Sequence, residues 1–526
     1  MRRLVLPRAD WRLVAAGALL TVLAYPPFNL FFPSFVSLVP AVWLILAGND
    51  DPMPFRRQMV QGFWFGFFTQ GLVLYWIAVA LWHFTWLSGL AYLATIVVFG
   101  LFWGLTFAAV GWTGRRLGIS VLIAFPVFWT ACDWIIGHLG DVRFPWLGLG
   151  ISLTGFPTFI QIADVVGARG LTFLLAAANA ALAVGWLRWR GGTRGWWRPI
   201  AAVVGGIVVA FGYGVWRERT IPVRTLGRIA LIQPNVVAEV KDDPAHWQVI
   251  FDDLMRLTDS TITATHPALV IWPETAMPYF IEREPGWDRR VAAEVRTTRV
   301  PILAGGLDLV YRGPDDYDYW NSAFLYDSTG SRTDQPVYHK HYLVPIVERV
   351  PFVNPRWFKS LKFFGGFGVG APGPVYHVGI GRFGVVICYE SIFEDLARRY
   401  RRLGADFLVN ITNDAWYGRT SAPYQHAAHL VLRAIENRMG VARAGNDGIS
   451  EFIDPFGRPY DQTRLEVRTS VTDTLVTSDA HTVYTAWGDW PGVFSVIAAL
   501  GLLLASWRGW ERFRRPRAAG RTPSPR

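Results

Sequence analysis

Cysteine is almost missing: Cys132 and Cys388 are the only two in 526 residues. Two thiols cannot make a disulfide framework. Cys132 lies in the apolar run VLIAFPVFWTACDWIIGH and Cys388 closes FGVVIC in a polar half, so they are not expected to pair. A chain that avoids cysteine except for one reactive thiol suits an oxidising compartment. Charge is also scarce, at 17% of residues, against about a quarter in soluble domains. There is no P-loop and no G-x-S-x-G elbow. The glycines of GGFGVG have neither a strand before them nor a helix after them. His339 and His341 flank Lys340, and His426 and His429 lie three apart, but neither pair has the further ligand spacing of a zinc site. They read as structural or peripheral, and no cofactor or metal is expected. No internal repeat is visible.

What is present is apolar: 52% hydrophobic residues and 15% aromatic ones. This is the composition of a membrane protein with a sizeable polar part. A helix needs about 20 apolar residues to cross a bilayer. Candidate spans lie near 11–29, 33–48, 59–81, 86–112, 119–137, 164–187, 198–216 and 489–507, eight in all. The first is followed too closely by the second to be a cleaved signal. The fold class expected is a polytopic α-helical membrane domain of eight spans plus an α/β domain. Residues 1–216 would hold seven spans, 217–488 the extramembrane domain and 489–507 the eighth span. The basic segment 508–526 would be a disordered tail.

Arginine sets the orientation. It clusters at Arg2, Arg3, Arg8 and Arg12, at Arg56 and Arg57, at Arg115 and Arg116, at Arg188 to Arg198, and beyond Arg508. The alternate connections hold almost none, Arg143 excepted. Both termini are therefore expected in the cytoplasm and 217–488 on the outer face. Much of the net charge of +11 is then topogenic, and no nucleic-acid partner is expected. Asp133 and Asp164 stand out, because a carboxylate at membrane depth is costly; each would sit near an interface or line a cavity.

In 217–488, short β-rich runs (RIALIQPN, ALVIWPE, VPILAGGLDL, FGVVICYES, DFLVNITND) alternate with helical patterns, as in an α/β layered domain. Three of the strand-like runs end on chemically complementary groups: Glu274, Lys340 and Cys388. Strand ends are where ligands gather in α/β sheets. A thiol must lose its proton to attack. Glu274 can take it, and an ammonium at Lys340 can favour the thiolate and then stabilise an oxyanion. Each residue alone has a plainer reading as a core thiol, a cap or a solvated charge. Their joint occurrence suits acyl transfer through a thioester.

WPETAMP, VYHKHYLVPIVERVPF, VVICYESIFEDLAR and VNITNDAWYG resemble the signature blocks of the apolipoprotein N-acyltransferase family, a membrane branch of the nitrilase (carbon–nitrogen hydrolase) superfamily. The resemblance covers nearly the whole chain and implies an αββα sandwich for 217–488. It implies Glu274 as base, Lys340 as oxyanion stabiliser and Cys388 as nucleophile. Glu348 would orient the lysine or assist the thiol, and Glu390 and Asn321 would support the site. Trp416 and Tyr417 would lie near the substrate entrance. Val347 stands where the family commonly has glycine, which bears on the shape of that loop.

The implied reaction moves an acyl chain from a phospholipid to Cys388. The chain then passes to the N-terminal amine of a diacylglyceryl-cysteine lipoprotein. The expected partners are thus a phospholipid donor, a diacylated apolipoprotein acceptor and membrane lipid, with the chain a monomer in the bacterial inner membrane and its catalytic domain periplasmic. Residues 357–373, with Phe363, Phe364 and Phe367, read as a loop dipping into the lipid interface. The rival readings are a membrane-tethered amidase, in which water resolves the thioester, and a non-enzymatic transporter or lipoprotein-binding protein.

Overall fold

The structure, a computed structural model, describes residues 6–82, 86–277, 279–281, 283–313, 317–352 and 366–514, with 509–514 as backbone only. Phe363, Phe364 and the tail from 515 onward, which carry two of the expectations above, lie outside the described residues.

Five helices among the described residues are long and apolar enough to cross a membrane: Phe31–Gly48, Ser88–Leu117, Ala163–Arg190, Trp197–Thr220 and Trp490–Arg508. A sixth forms if Pro54–Val73 and Trp76–Trp82 count as one span, bent by 57° at their junction. The other two expected spans are helices Arg8–Ala24 and Val121–Gly137, each of 17 residues. At 1.5 Å per residue each reaches about 26 Å, short of the ~30 Å hydrocarbon core. Length and composition thus support five or six spans among the described residues.

The polar half is a sandwich. Its strands are β1 (Arg224–Gln233), β2 (Leu269–Ile271), β3 (Ile302–Tyr311), β4 (Tyr317–Tyr326), β5 (Tyr338–His339), β6 (Val375–Val378), β7 (Gly381–Ile387), β8 (Phe407–Thr412), β9 (Gly440–Gly445), β10 (Glu451–Ile453), β11 (Pro459–Tyr460) and β12 (Thr469–Thr477). They form two six-stranded sheets, ordered β12-β1-β2-β3-β4-β5 and β11-β10-β9-β8-β7-β6. The centres are parallel, β1 with β2 and β3 in one sheet and β7 with β8 and β9 in the other. Every residue of β8 and β9 is buried, as expected of parallel strands covered on both faces. Across the sandwich, β4 packs on β7 and β1 on β9.

Helices Trp247–Thr265 and Pro285–Thr298 cover the first sheet, and Glu394–Arg402 and Ala422–Asn437 cover the second. The last of these also packs on the membrane helix Ala163–Arg190. Only Tyr424 of its sixteen residues escapes burial. Its polar side chains are therefore held inside the protein and must be paired there.

Asp133 and Asp164 find their partners at this junction. Asp164 accepts from Arg217 and Arg438, both at 2.7 Å, and from the Tyr213 hydroxyl at 2.8 Å. Asp133 lies 3.8 Å from Arg169, which also pairs with Glu394 and with Asp489. Both carboxylates tie membrane helices to neighbouring elements.

Candidate active site

Glu274 follows β2 by three residues, Lys340 directly follows β5, and Cys388 directly follows β7. These are the ends from which loops leave the packed sheets, and the sandwich brings them together. The Lys340 ammonium donates to Glu274 Oε1 at 3.1 Å and to Glu348 Oε1 at 2.9 Å, and its side chain is 1% exposed. Asn321, on β4, donates its amide to the same two oxygens at 2.6 and 3.2 Å. The other carboxylate oxygens accept from main chain: Asn413 N–H to Glu274 Oε2 at 2.9 Å and Val344 N–H to Glu348 Oε2 at 2.8 Å. Four sequence-predicted residues, Glu274, Asn321, Lys340 and Glu348, are thus one bonded cluster. In the loop before Glu348 the left-handed residue is Ile346, at φ 72°, and not Val347.

Close main-chain approach shapes both arms. A Cβ on Gly305 of β3 would lie 2.2 Å from the Pro273 carbonyl oxygen and 2.8 Å from Glu274 Cα. A Cβ on Gly370 would lie 2.0 Å from the His339 carbonyl oxygen, where Gly370 N–H donates to the Lys340 carbonyl at 2.9 Å. Phe367, the described member of the expected interfacial loop, stacks edge-on to Tyr319 at 4.6 Å.

Cys388 is buried, unpaired in any disulfide, and begins a 3₁₀ turn that runs to Ile392. Its φ of 51° puts a side-chain-bearing residue in the left-handed region, a strain of about 1–3 kcal/mol that surrounding contacts must hold. Glu390 supplies one such contact, accepting the Ile387 N–H at Oε2, 2.7 Å. Its Oε1 accepts from the Tyr338 hydroxyl at 2.7 Å and from the N–H groups of His341 and Tyr342 at 2.6 and 3.0 Å. Glu390 therefore joins the nucleophile turn to the lysine arm.

The electrostatics follow from burial. Burial pushes the Cys388 thiol up, Glu274 and Asp414 add to that, and Lys340 and the Thr412 hydroxyl work against it. For Lys340 burial pulls the other way, but Glu274, Glu348 and Cys388 outweigh it and keep the ammonium well above its ordinary range. Burial also raises the Glu390 carboxyl to about 7 despite its donors. The resting site is thus a protonated thiol beside a fixed cation and two carboxylates. Attack by sulfur requires a base that acts as the bond forms.

Trp416 and Tyr417 lie on the short turn Ala415–Tyr417. Tyr417 is buried edge-on against Trp76 at 5.1 Å and Trp146 at 6.3 Å, both from the membrane half. Burial and the neighbouring Cys388, Asp414 and Glu274 keep its hydroxyl protonated. Trp76 and Trp146 both donate to Gln425 Oε1, at 3.1 and 2.9 Å. Gln425 in turn donates to the Val73 carbonyl at 3.3 Å, next to the bend between Pro54–Val73 and Trp76–Trp82.

Two further groups lie near the site: Lys241, which the sequence reading did not single out, and His426, which it read as structural or peripheral. Lys241 donates to Thr275 Oγ1 at 2.6 Å and to the Glu274 carbonyl at 3.4 Å, and burial lowers its ammonium to about 8. His426 lies against Cys388 itself, its Nε2 3.0 Å from the Cys388 carbonyl oxygen. His339 and His341 bond instead to Asp308 and to the Gly370 carbonyl. Among the described residues no three His, Cys, Asp or Glu side chains gather as a metal site.

Residues 17–181 match the apolipoprotein N-acyltransferase N-terminal domain family, and residues 228–476 match the carbon-nitrogen hydrolase family. The chain is 32% identical over 511 residues to the apolipoprotein N-acyltransferase of Geobacter metallireducens, covering 94% of this chain and 96% of that one. It is 31% identical over 531 residues to the enzyme of that name from Brucella melitensis, covering 94% and 95%. Among solved structures it is similar to an amidase from Nesterenkonia sp., with 20% identity, a TM-score of 0.36, and coverage of 51% of this chain and 95% of that one. A carbon–nitrogen hydrolase sandwich joined to apolar helices, with relatives matched almost end to end, places this acyltransferase in the apolipoprotein N-acyltransferase family.

Proposed function

We propose that this chain completes lipoprotein acylation in two half-reactions at Cys388. The observation that carries the reading is the buried Glu274–Lys340–Glu348 cluster beside a thiol whose neighbour Tyr417 packs on Trp76 and Trp146 of the membrane half. In the first half-reaction Glu274 accepts the thiol proton as sulfur attacks the ester carbonyl of a phospholipid at sn-1. Lys340 uses two of its three N–H donors on carboxylates, and the third serves the oxyanion. The carbon–oxygen bond then breaks, the proton on Glu274 goes to the departing glycerol oxygen, and a thioester and a lysophospholipid result.

In the second half-reaction the neutral amine of a diacylglyceryl-cysteine attacks the thioester. Its proton passes to Glu274, the carbon–sulfur bond breaks, and the proton returns to sulfur. Glu348 and Asn321 hold the lysine and the base in register. Glu390 holds the turn that carries the nucleophile, and Trp416 and Tyr417 border the path of the acyl chain. The bent pair, Arg8–Ala24 and Val121–Gly137 complete eight membrane passages in this reading. The catalytic domain 217–488 then faces the periplasm and both termini face the cytoplasm. The chain acts as a monomer, and no cofactor takes part.

The test is intact-mass analysis of the purified protein after incubation with phospholipid, followed by addition of a diacylated lipopeptide. The expected result is an acyl adduct at Cys388 that the lipopeptide discharges as an amide, with no adduct in Cys388→Ala. Release of free fatty acid without triacylated peptide would assign the thioester to hydrolysis instead.

A further inference from the structure

His426 is fully buried and lies directly behind the nucleophile. One ring nitrogen, Nε2, faces the Cys388 carbonyl oxygen at 3.0 Å, and the other, Nδ1, faces Asp414 Oδ1 at 3.0 Å. A neutral imidazole has one N–H and one bare nitrogen, so it would turn a lone pair on one of these two acceptors. The cation satisfies both. Arg443 Nη2 also lies 3.3 Å from Nδ1, with one of its two N–H groups on Asp414 Oδ2 at 2.7 Å, so the closer partner of Nδ1 is the Asp414 carboxylate.

Of the remaining neighbours, the Trp146 ring is the one whose face suits a cation. The Trp146 ring lies face-on at 5.6 Å, the Tyr417 ring edge-on at 6.1 Å, and His429 one turn along the same helix.

We propose that His426 is a positioning residue held as an imidazolium. Its Nε2–H fixes the carbonyl of the left-handed Cys388, and its charge lies behind the sulfur that must become a thiolate. Glu390 pins the Ile387 N–H that precedes Cys388, and His426 pins the carbonyl that follows. With both pins the side chain has one direction, toward Lys340. Asp414 holds the ring from behind and keeps its second proton in place. This inference adds to the acylation reading above and rests on Cys388 being the reacting atom.

The experiment compares His426→Leu and His426→Gln with the unaltered full-length protein in detergent. The glutamine amide can still donate to the carbonyl but carries no charge. Two rates are read: thioester formation from phospholipid, and carboxamidomethylation of Cys388 by iodoacetamide, followed by peptide mass. The leucine variant is expected to lose about 10- to 100-fold in both rates, with the KM for phospholipid unchanged, and the glutamine variant to recover about tenfold of that loss.

Nitrogen-15 spectra of histidine-labelled protein, with the His426 signals assigned by their loss in His426→Gln, are expected to show both ring nitrogens protonated. An unaltered alkylation rate in the leucine variant, a loss confined to KM, a glutamine variant no better than leucine, or a neutral ring signature would each overturn the proposal. The alkylation rate and the spectrum do not depend on lipid, so they decide the matter even if the unaltered protein forms no thioester. If His426→Leu fails to fold, His426→Gln and the spectrum remain.

Discussion

Glu390 offers the sharpest test of how the nucleophile is held. It accepts four hydrogen bonds, one at Oε2 from Ile387 and three at Oε1 from Tyr338, His341 and Tyr342. An ionised carboxylate is an acceptor on both oxygens, whereas a carboxamide is an acceptor on one and a donor on the other. Glu390→Gln keeps the shape and must turn an NH₂ group on donors in either flip. The less costly flip faces Ile387 and leaves one buried N–H unsatisfied, at about 1–3 kcal/mol. The three bonds at the other oxygen also lose their charge assistance, which roughly halves them. The lost Ile387 bond alone amounts to about 1–3 kcal/mol, and the weakened bonds at the other oxygen add to the loss of stability.

Because the lost bond holds the Ile387 N–H, one residue before Cys388, that loss of about 1–3 kcal/mol should appear in acylation. At 1.36 kcal/mol per factor of ten, the thioester should form about 5- to 150-fold more slowly. The assay is single-turnover acylation from phospholipid followed by intact mass, with thermal unfolding measured alongside. Acylation within about threefold of the unaltered protein would refute the claim that Glu390 shapes the nucleophile turn, whatever happens to stability.

Three other outcomes can be measured. Burial works to raise the Asp414 carboxyl, but Arg443 and His426 outweigh it and hold it at about 2. A depressed carboxyl contributes stability above its unfolded value near 3.8 and loses it as pH falls toward 2. Asp414→Asn should therefore abolish about 2 kcal/mol of acid-sensitive stability, seen as a flatter pH dependence of chemical unfolding below pH 4. Gly305→Ala should displace Glu274 through its contact with Pro273 and Glu274, costing about 1–3 kcal/mol by overpacking and lowering kcat in steady-state turnover. Asp164→Ala should destabilise the chain by about 3–5 kcal/mol by leaving the fully buried Arg438 without its charge partner. Adding Arg438→Met should recover part of that loss in a double-mutant cycle read by thermal unfolding.

Much of the candidate site could be read in the sequence, because each polar group closes an apolar run. IWPE, VYHK and VVIC announce strand ends whatever the tertiary fold, and the structure brings Glu274 and Lys340 into contact and Cys388 within reach of their charge. The segment Thr469–Thr477 was harder to see: TSVTDTLVT is rich in threonine and mostly half-buried at a sheet edge. The bend after Val73 leaves no local trace either, because a glutamine about 350 positions away bonds the carbonyl there. Hydropathy also carries the first apolar run past Ala24, where the helix ends. His426 looked peripheral because helix Ala422–Asn437 shows an ordinary three-to-four spacing. Spacing reports one apolar face, and this helix is covered on nearly all sides.

That covering has a consequence for how the two halves work as one enzyme. Glu394 lies six residues after the nucleophile and pairs with Arg169 of the membrane helix Ala163–Arg190. Glu436 accepts the Ala168 N–H at 2.9 Å and pairs with Arg433 at 2.8 Å. Arg438 reaches Asp164 from the end of the helix that carries His426. These charges are buried at the junction, where each left alone would cost several kcal/mol. The start of the same helix bonds the membrane bend through Gln425 and the Cys388 carbonyl through His426, adjacent residues that share the Trp146 ring. A soluble sandwich would have to replace those partners with water and could not keep the helix in its place. The membrane helices therefore act as structural parts of the helix that carries His426 and, through it, of the turn that carries Cys388.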